Sequence, residues 1–556
     1  MQAGLSHWTA EGDAGELQDI TLGALLRRQS LRFAQRRAFV FDEGDGGDAL
    51  IWTYAELDRK VDDLAKALLA SGLAHGDRVA VMAPNCPEWV LLEYALARIG
   101  AVLVTVNPAF RQAELDYLLR QGRVIMLFAV GEYRGFDLAD MISTMLRDQS
   151  YPDLRRVIRL GAIDIPGAGA FADFVAGGET VTSIVLERRE ATVTTQDVVQ
   201  IQYTSGTTGQ PKGAMLTHFG TVNNARLAGL RAGYGETDVM VSAMPFFHTA
   251  GCVCNVIGMA AVGGCLVAME QFNASKMLDL IEAYGGTVTN AVPTMYVRIL
   301  QDAKLLTGQR RLAGWRVAYT GGTAIPPSLM RELHDKTGAE PVIIMGMTEC
   351  SPIITQTVPS DPFERKISTA GVPLPHVEIR IADPDDGHTL PTGAEGELLI
   401  RGFLVMAGYF DMPDRTAQAI DSQGWLHSGD IGVLDEGGYL RIVGRIKDMI
   451  IRGGENIYPV EIEDHLLGNE NIAEAQVVGV PDPEFGEEIC AFVVPRPGHD
   501  VDAGKLRDWC RQTLSRHKLP RYVVTLPNMP QTTNGKVRKV ELRDLARTMI
   551  DQGALS

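Results

Sequence analysis

The chain has 556 residues, of which 46% are hydrophobic and 22% are charged. These fractions are close to ordinary globular usage and exclude wholesale disorder. The 69 Asp and Glu residues outnumber the 52 Lys and Arg residues, which gives a net charge of −17. An acidic chain without runs of Lys or Arg is poorly suited to nucleic acid, so we expect no nucleic-acid partner. Any anionic ligand must then be held by local groups instead of a global positive field.

Cysteine usage and the N-terminal residues predict a cytoplasmic protein. The seven cysteines are sparse and include no CxxC pair, which favours reduced thiols in a cytosolic setting. Acidic residues interrupt the N-terminus before an apolar signal-peptide region could form, namely Glu11, Asp13, Glu16 and Asp19.

Helices and strands alternate along the first quarter of the chain. Thr53 and Glu56 form a capping box that begins a predicted helix over 53–71, and Gly72 ends it. The next predicted elements, in order, are a strand at 78–82, a helix at 88–99, a strand at 102–106, a helix at 113–119 and a strand at 124–128. This alternation implies right-handed βαβ crossovers and mainly parallel sheets. The same pattern resumes after Asp197 and continues to about residue 346.

Two stretches inside this region read differently. Residues 161–179 are rich in Gly and Ala, and we predict a surface loop there. Residues 251–269 contain no charge and approach the length of a membrane span. Four glycines and Asn255 interrupt that stretch, so a buried helix leading into a strand is the preferred interpretation, and no integral membrane segment is expected.

The final third of the chain predicts two further units. Strands at 378–381, 397–401 and 439–442, separated by turn-forming residues, predict a small antiparallel β unit. Strands at 475–480, 489–494 and 521–526, with a helix at 503–516, predict compact α+β content. We therefore predict an α/β protein with a large N-terminal domain over 1–444, made of mainly parallel α/β subdomains plus the β unit, and a small mobile α+β C-terminal domain over 445–556.

The most informative segment is Tyr203-Thr204-Ser205-Gly206-Thr207-Thr208-Gly209-Gln210-Pro211-Lys212-Gly213, which follows a predicted strand. Its run of Thr, Ser and Gly can present backbone N–H groups and hydroxyls to a polyphosphate with little steric cost. Lys212 adds a point charge that can reach a phosphate oxygen. A flexible linker is the alternative interpretation, but linkers rarely carry a single Lys between Pro and Gly. The pattern GxxxxGK[ST] is absent, which counts against a P-loop NTPase.

This segment resembles the phosphate loop of the AMP-forming adenylating enzymes, which include acyl-CoA synthetases, free-standing adenylation domains and firefly-type luciferases. Seven further motifs follow in the order of that family over about residues 50–540. They are Pro245-Phe246-Phe247-His248, Gly321-Gly322-Thr323-Ala324, Gly346-Met347-Thr348-Glu349, Gly424-Trp425-Leu426-His427-Ser428-Gly429-Asp430, Gly444-Arg445-Ile446-Lys447-Asp448, Arg452-Gly453-Gly454-Glu455-Asn456 and Pro530-Gln531-Thr532-Thr533-Asn534-Gly535-Lys536. The chain most resembles the medium-chain fatty acyl-CoA synthetase branch.

The resemblance implies an ATP-dependent acid–thiol ligase. A carboxylate is a poor acyl electrophile, so it attacks the α-phosphate of ATP to give an acyl adenylate and pyrophosphate. A thiol then displaces AMP. Because the first transition state gathers charge on phosphate oxygens, catalysis depends on positioning and electrostatic stabilisation and needs no protein nucleophile.

The resemblance also assigns roles to residues around ATP. The β- and γ-phosphates are cradled by Thr204, Ser205, Gly206, Thr207, Thr208, Gly209 and Lys212. Glu349 is the magnesium (Mg2+) carboxylate, with Thr204 beside the metal, and Thr348 places a hydroxyl at the α-phosphate; such oxygens suit a hard cation. The remaining nucleotide-binding assignments are Gly322, Thr323 and Ala324 along adenine, Asp430 at the ribose, Arg445 as its basic partner, and Met345, Gly346 and Gly454.

Two lysines are assigned to the small C-terminal domain and its junction. Lys536 is the catalytic lysine that bridges carboxylate and phosphate oxygens during adenylation, and an exposed tail lysine is the alternative. Lys447 is the hinge about which that domain turns between the two half-reactions. One departure from the family is Met345, because an aromatic residue usually precedes this glycine and stacks near adenine. Thioether contact replaces that stacking in part.

The acyl group is expected to meet His248, Gly251, Gly346 and Met347. Acetate-type members carry a Trp where this chain has Gly346, so the glycine predicts an open slot. Apolar residues and no evident Arg or Lys around the slot favour a medium- to long-chain fatty acid. An aromatic or alicyclic acid is the alternative substrate.

Free coenzyme A (CoA) is the expected acceptor, since no carrier domain follows Lys536. Two alternatives stay open: an acyl-adenylate ligase that loads a separate carrier protein, and a fatty-acid-binding or uptake protein with vestigial catalysis. The expected ligands are therefore a carboxylic acid, ATP with Mg2+, and CoA. A homodimer is left open.

Overall fold

The computed structural model describes residues 4–9, 15–42, 49–147, 151–204, 211–310, 312–322, 325–453, 455–531 and 537–555. Two large sheets, each mostly parallel, occupy the N-terminal region. An antiparallel sheet follows them, and a further small sheet with its helices forms the C-terminal region. The predicted α/β class is thereby confirmed.

The first large sheet positions the predicted phosphate-binding segment. Its strands, in spatial order, are Gly169–Ala170, Arg156–Leu160, Met126–Val130, Arg78–Met82, Val102–Val106, Val198–Thr204, Lys212–Thr217 and Gly408–Tyr409. The first six pair in parallel, and the last two add antiparallel edges. Thr204 ends one strand and Lys212 begins its antiparallel neighbour, so both residues lie at the carboxyl edge of the parallel strands.

The second large sheet positions the predicted adenine and acyl motifs. Its strands, in spatial order, are Val372–Pro373, Ile353–Gln356, Glu340–Gly346, Val317–Gly321, Val288–Asn290, Val239–Ser242, Cys265–Met269, Arg37–Asp42 and Leu50–Thr53. The strands from Glu340–Gly346 to Arg37–Asp42 are parallel. Ligands of open parallel sheets bind outside the carboxyl ends of the strands, and the motifs at 243–248, 321–322 and 346–349 all follow such ends.

The helices pack on and between these sheets. The α-helices of the N-terminal region are Leu22–Arg32, Tyr54–Ala70, Pro87–Arg98, Gln112–Gln121, Leu138–Arg147, Phe171–Ala176, Ser183–Glu190, His218–Arg231, Thr249–Gly251, Gly258–Val262, Ala274–Tyr284, Pro293–Leu300, Ala303–Leu306, Pro327–Thr337, Phe363–Ser368 and Pro413–Ala419. The largest hydrophobic cluster contains residues from both sheets, together with the side chains of Leu64, Trp89 and Phe246. Helices of the first hundred residues therefore fill the space between the sheets.

The small units agree with the predicted pattern. The antiparallel sheet contains His7–Thr9, Val377–Ala382, Gly396–Gly402, Leu426–Leu434 and Leu440–Arg445. The C-terminal sheet contains Glu455–Ile457, Ile450–Arg452, Gly486–Pro495, Ile472–Asp482 and Tyr522–Thr525, and its α-helices are Pro459–Leu467, Ala503–Cys510 and Lys539–Asp551. The division at 444 and 445 stays a prediction, as does the mobility of the C-terminal region.

The predicted loop at 161–179 is partly wrong. It contains the short strand Gly169–Ala170, the helix Phe171–Ala176 and the 3-10 turn Gly177–Thr180. Phe171 and Phe174 both pack edge-on against Phe128, with ring centroids 6.2 and 5.5 Å away. Phe128 is distant in sequence, and its contacts order a segment whose composition alone predicts a loop.

The uncharged stretch 251–269 is a buried helical segment that leads into the strand Cys265–Met269, as predicted. A π-helical segment, Cys252–Ile257, precedes the α-helix Gly258–Val262. Within the described ranges, none of the helices is long and apolar enough to cross a lipid bilayer.

A buried histidine joins the helix after the strand Lys212–Thr217 to the N-terminal helix. His218 begins the helix His218–Arg231, and its Nδ1 accepts a hydrogen bond from the backbone N–H of Leu22 at 3.1 Å. Burial lowers the pKa of His218 from 6.5 to about 4. The neutral ring is therefore required, since a protonated Nδ1 could not accept this bond.

We predict that this histidine makes the protein sensitive to mild acid. The unfolded chain binds the extra proton below pH 6.5 and the folded chain only near pH 4, so stability is full above pH 6.5 and falls as the pH drops. The free energy of unfolding falls by about 3 kcal/mol between pH 6.5 and pH 4. His218→Asn keeps a hydrogen-bond acceptor but does not titrate. The free energy of unfolding, measured by urea denaturation at several pH values, should therefore fall less steeply with decreasing pH in that variant. Equal slopes would contradict the prediction.

Candidate active site

The carboxylate of Glu349 lies at the centre of the candidate site. It follows the strand Glu340–Gly346, in the 3-10 turn Thr348–Cys350, and is buried. Its Oε1 accepts hydrogen bonds from the Thr204 hydroxyl at 3.4 Å and from the Tyr409 hydroxyl at 2.9 Å. Among the described residues its Oε2 receives no hydrogen bond. The carboxylate is thus held on one oxygen and leaves the other for a ligand.

Lys212 lies beside Thr204 and Tyr409. It pairs with Thr204 across the antiparallel hairpin, and its Nζ lies 4.4 Å from the centre of the Tyr409 ring. This distance is within the range of a cation–π interaction. Sequence reasoning assigned Thr204, Lys212 and Glu349 to one site, and the structure brings the three together. It missed Tyr409, which contacts two of them.

The predicted ribose motif forms a hydrogen-bonded turn. Asp430 is buried and pairs with Arg445 across neighbouring strands, with Arg445 Nε 2.7 Å from Asp430 Oδ1. Glu397 supports this turn, because its carboxylate accepts from the Gly429 N–H at 3.1 Å and lies 2.9 Å from His427 Nδ1. Glu397 was not singled out by sequence, although its place in a strand opposite the motif gives it this role.

The predicted substrate histidine sits at the start of a helix. His248 caps the helix Thr249–Gly251, and its Nδ1 accepts from the Ala250 N–H at 3.2 Å. Two buried amides hold the loop around it. Asn85 accepts from the Phe246 N–H at 2.7 Å, and Asn290 donates to the Ala250 carbonyl at 3.2 Å. Because Nδ1 is an acceptor, the opposite ring nitrogen is the one that carries the proton.

The glycines expected to open an acyl slot serve a different purpose. A Cβ at Gly346 would lie 2.6 Å from the Pro352 carbonyl oxygen, and a Cβ at Gly251 would lie 2.1 Å from the Pro245 carbonyl oxygen. Backbone therefore fills the space on the Cβ side of both residues. The open slot predicted from Gly346 and Gly251 is corrected: these glycines permit close backbone contact. Met345 and Met347 are half-buried and pack against a hydrophobic core cluster.

The remaining predicted residues are placed as follows. Thr348 begins the turn that carries Glu349, and Gly322 follows the strand Val317–Gly321 with a positive φ of 83°. Lys447 lies in the 3-10 turn Ile446–Asp448, where Asp448 Oδ1 is 2.7 Å from Arg543 of the last helix. The other assigned residues lie outside the described residues: Ser205, Gly206, Thr207, Thr208, Gly209, Thr323, Ala324, Gly454 and Lys536.

Two family descriptions match most of the chain. The AMP-binding enzyme family matches residues 26–410, and the AMP-binding enzyme C-terminal domain matches residues 461–536. The chain belongs to the AMP-binding enzyme family. The resemblance inferred from the eight motifs is thereby confirmed.

Its relatives in this family share nearly the whole chain. The acyl-CoA ligase SID4 of Ajellomyces capsulatus is 36% identical over 556 residues, covering 96% of this chain and 93% of that protein. The mitochondrial medium-chain acyl-CoA ligase ACSF2 of Homo sapiens is 35% identical over 547 residues, covering 95% and 88%. The anthranilate CoA ligase AuaEII, solved with anthranoyl-AMP, has a TM-score of 0.85 at 25% identity, covering 97% of this chain and all of that one.

We predict that the contact between Gly251 and Pro245 is essential for placing the His248 loop. In Gly251→Ala the added Cβ meets backbone, which cannot move aside as a flexible side chain would, so we expect a loss of about 1–3 kcal/mol in unfolding free energy. The matched control is Gly258→Ala in the following helix, where the nearest atom to the new Cβ lies 3.6 Å away. That variant should be as stable as the parent or more stable. Two variants of equal stability in chemical denaturation would contradict the prediction.

Proposed function

We propose that this chain is an AMP-forming acid–thiol ligase, which activates a carboxylic acid with ATP and transfers the acyl group to CoA. The observation that carries the proposal is the joint placement of Thr204, Lys212 and Glu349 at the carboxyl edges of two sheets, in a member of the AMP-binding enzyme family. Hydroxyl, ammonium and carboxylate groups in that arrangement suit a metal-bound polyphosphate.

The first half-reaction needs charge stabilisation more than covalent help. An oxygen of the substrate carboxylate bonds to the α-phosphorus of ATP, the bond from that phosphorus to the bridging oxygen breaks, and pyrophosphate leaves. Lys212 is proposed to pair its ammonium with phosphate oxygens, and Thr348 is proposed to offer a hydroxyl one residue before Glu349. Preorganised groups of this kind act without reorganising as charge develops.

Glu349 and Thr204 fit a Mg2+ ion. The carboxylate is buried and, among the described residues, accepts hydrogen bonds on Oε1 only. It lies beside the Thr204 hydroxyl, and carboxylate and hydroxyl oxygens are ligands of the type that this ion prefers. The ion would neutralise phosphate charge when bound. The chain's own contribution is to hold Glu349 in place before ATP arrives.

In the second half-reaction the thiol of CoA gives up its proton to solvent and its sulfur bonds to the acyl carbon, while the bond from that carbon to the phosphate oxygen breaks and AMP leaves with its electron pair. Lys536 is proposed to serve adenylation only, and Lys447 is proposed as the hinge between the two arrangements. A domain boundary at 444 and 445 belongs to the same proposal. The contact of Asp448 with Arg543 supports it, because it ties the residue after Lys447 to the helix that follows Lys536.

The proposed acid is a medium- to long-chain fatty acid. The apolar side chains of Met345 and Met347 beside the Glu349 turn support this choice, as does the name of the medium-chain relative ACSF2. An aromatic or alicyclic acid is the second candidate, and the likeness to an anthranilate CoA ligase, with a TM-score of 0.85 over 97% of this chain, supports it. Loading of a carrier protein is the alternative to CoA.

We predict acid-dependent pyrophosphate release and CoA-dependent thioester formation by the purified chain. The assay compares fatty acids of graded length with benzoic and anthranilic acids, each with ATP, Mg2+ and CoA. The preferred acid should exceed acetate by at least about tenfold in kcat/KM. Pyrophosphate release without thioester would favour the carrier-protein alternative, and no acid-dependent release would contradict the ligase proposal.

We predict that Lys536 separates the two half-reactions. Lys536→Ala should nearly abolish acid-dependent pyrophosphate exchange, because the developing charge loses its ammonium. Thioester formation from supplied acyl adenylate should stay within a few-fold of the parent. The control is Lys505→Ala, which removes an exposed lysine of the same C-terminal region and should change neither rate. Equal losses in both assays would contradict a role confined to adenylation.

A further inference from the structure

We infer that Tyr409 is a positioning residue. Its hydroxyl fixes the carboxylate of Glu349, which is proposed to bind Mg2+, and its ring fixes the ammonium of Lys212, which is proposed to bind phosphate. This inference rests on the proposed function and assigns a role to a residue outside the motifs identified by sequence. Its hydroxyl donates to Glu349 Oε1 at 2.9 Å, and its ring lies 4.4 Å from Lys212 Nζ. One side chain thus contacts both groups that face the phosphates of ATP.

The backbone around Tyr409 is fixed to both of its partners. Met406 donates from its N–H to the Glu349 carbonyl at 2.8 Å, so the segment before Tyr409 is bonded to the Glu349 turn. Tyr409 itself pairs with Ala214 of the strand that Lys212 begins, and Phe410 donates to the Gly213 carbonyl at 2.8 Å. These bonds hold the ring and the hydroxyl in place relative to both partners.

The local chain bends to allow this placement. Gly408 has a φ of 132°, and a Cβ there would lie 2.8 Å from the Thr416 side chain. The Thr416 hydroxyl accepts from the Tyr409 N–H at 2.9 Å. Tyr409 is therefore held by its backbone and by its hydroxyl, and its rotation about χ1 is restricted by burial.

The hydroxyl and the ring of Tyr409 act on different partners. The hydroxyl donates a hydrogen bond to Oε1 of Glu349 and so fixes the orientation of that carboxylate. The ring at the same time presents its negative face to the Lys212 ammonium, which restricts where that charge can lie.

The two contacts make different predictions for two substitutions. Tyr409→Phe removes the hydroxyl and keeps the ring, so it should weaken only the binding that depends on Glu349 and Mg2+. Tyr409→Leu removes both contacts, so it should also weaken binding of ATP without metal, which depends on Lys212. A purely structural residue would lower stability without distinguishing the two conditions.

The experiment measures ATP binding to the full chain by calorimetry, without acid substrate, once with Mg2+ and once with EDTA. For Tyr409→Phe we expect Kd with Mg2+ to rise at least about threefold and Kd in EDTA to stay unchanged. For Tyr409→Leu we expect Kd to rise in both conditions. Because the Leu variant is the more disruptive, the inference is decided by the Phe variant, and Tyr409→Phe should have no additional effect in a Glu349→Gln background.

Tyr439 provides a matched control. Its hydroxyl donates to Asp361 Oδ1 at 2.7 Å and its ring lies 4.2 Å from the Arg365 guanidinium, so it has the same two kinds of contact away from Glu349. Tyr439→Phe should leave both Kd values unchanged. The inference is overturned if Tyr409→Phe changes neither Kd, changes both equally, or is matched by Tyr439→Phe.

The same measurements separate this inference from the proposed function. If the parent chain binds ATP with Mg2+ and releases pyrophosphate with an acid, the ligase proposal stands whatever the Tyr409 variants do. If the parent fails both tests, the ligase proposal itself is overturned. Unchanged binding in Tyr409→Phe, with an active parent, rejects the positioning role alone.

Discussion

The buried carboxylate of Glu349 is the group on which the arrangement of the site depends. Its side chain accepts from Thr204 at the end of a parallel strand and from Tyr409 on an antiparallel edge strand, and its carbonyl accepts from Met406. A buried carboxylate is costly unless such bonds are made. Three segments that are distant in sequence must therefore assemble together, and the two sheets are joined at the point where ATP is proposed to bind.

Because the chain is strongly acidic, the binding of an anionic ligand depends on a few locally placed groups. A net charge of −17 repels an anionic nucleotide, so attraction has to come from a few placed groups. Lys212 is held over a tyrosine ring, and Asp430 is paired with Arg445. Both arrangements fix side chains in advance, which reduces the entropy lost on binding and the reorganisation needed during reaction.

Sequence patterns predicted what depends on local spacing and failed where distant contacts decide. The strands Arg78–Met82 and Val102–Val106 have the predicted bounds, because their apolar runs end at turn residues. Tyr409 and Glu397 could not be singled out, since their partners lie 60 and about 30 residues away. Gly251 and Gly346 were interpreted as open space, whereas the fold fills that space with backbone. Small size in a sequence does not distinguish a cavity from a close contact.

The same limit applies to the hinge. Lys447 is assigned by its motif, but what a turn there would move depends on contacts that only the fold reveals. Asp448 accepts from Arg543, and Lys539 at the start of the same helix donates to Glu463 at 2.7 Å. The last helix is therefore bonded both to the residue after the proposed hinge and to the helix Pro459–Leu467. A rotation at Lys447 would therefore carry these elements as one body. The last helix would then move with the residues after Lys447, so a small change in backbone angle at one residue would become a large displacement at the far end of that helix.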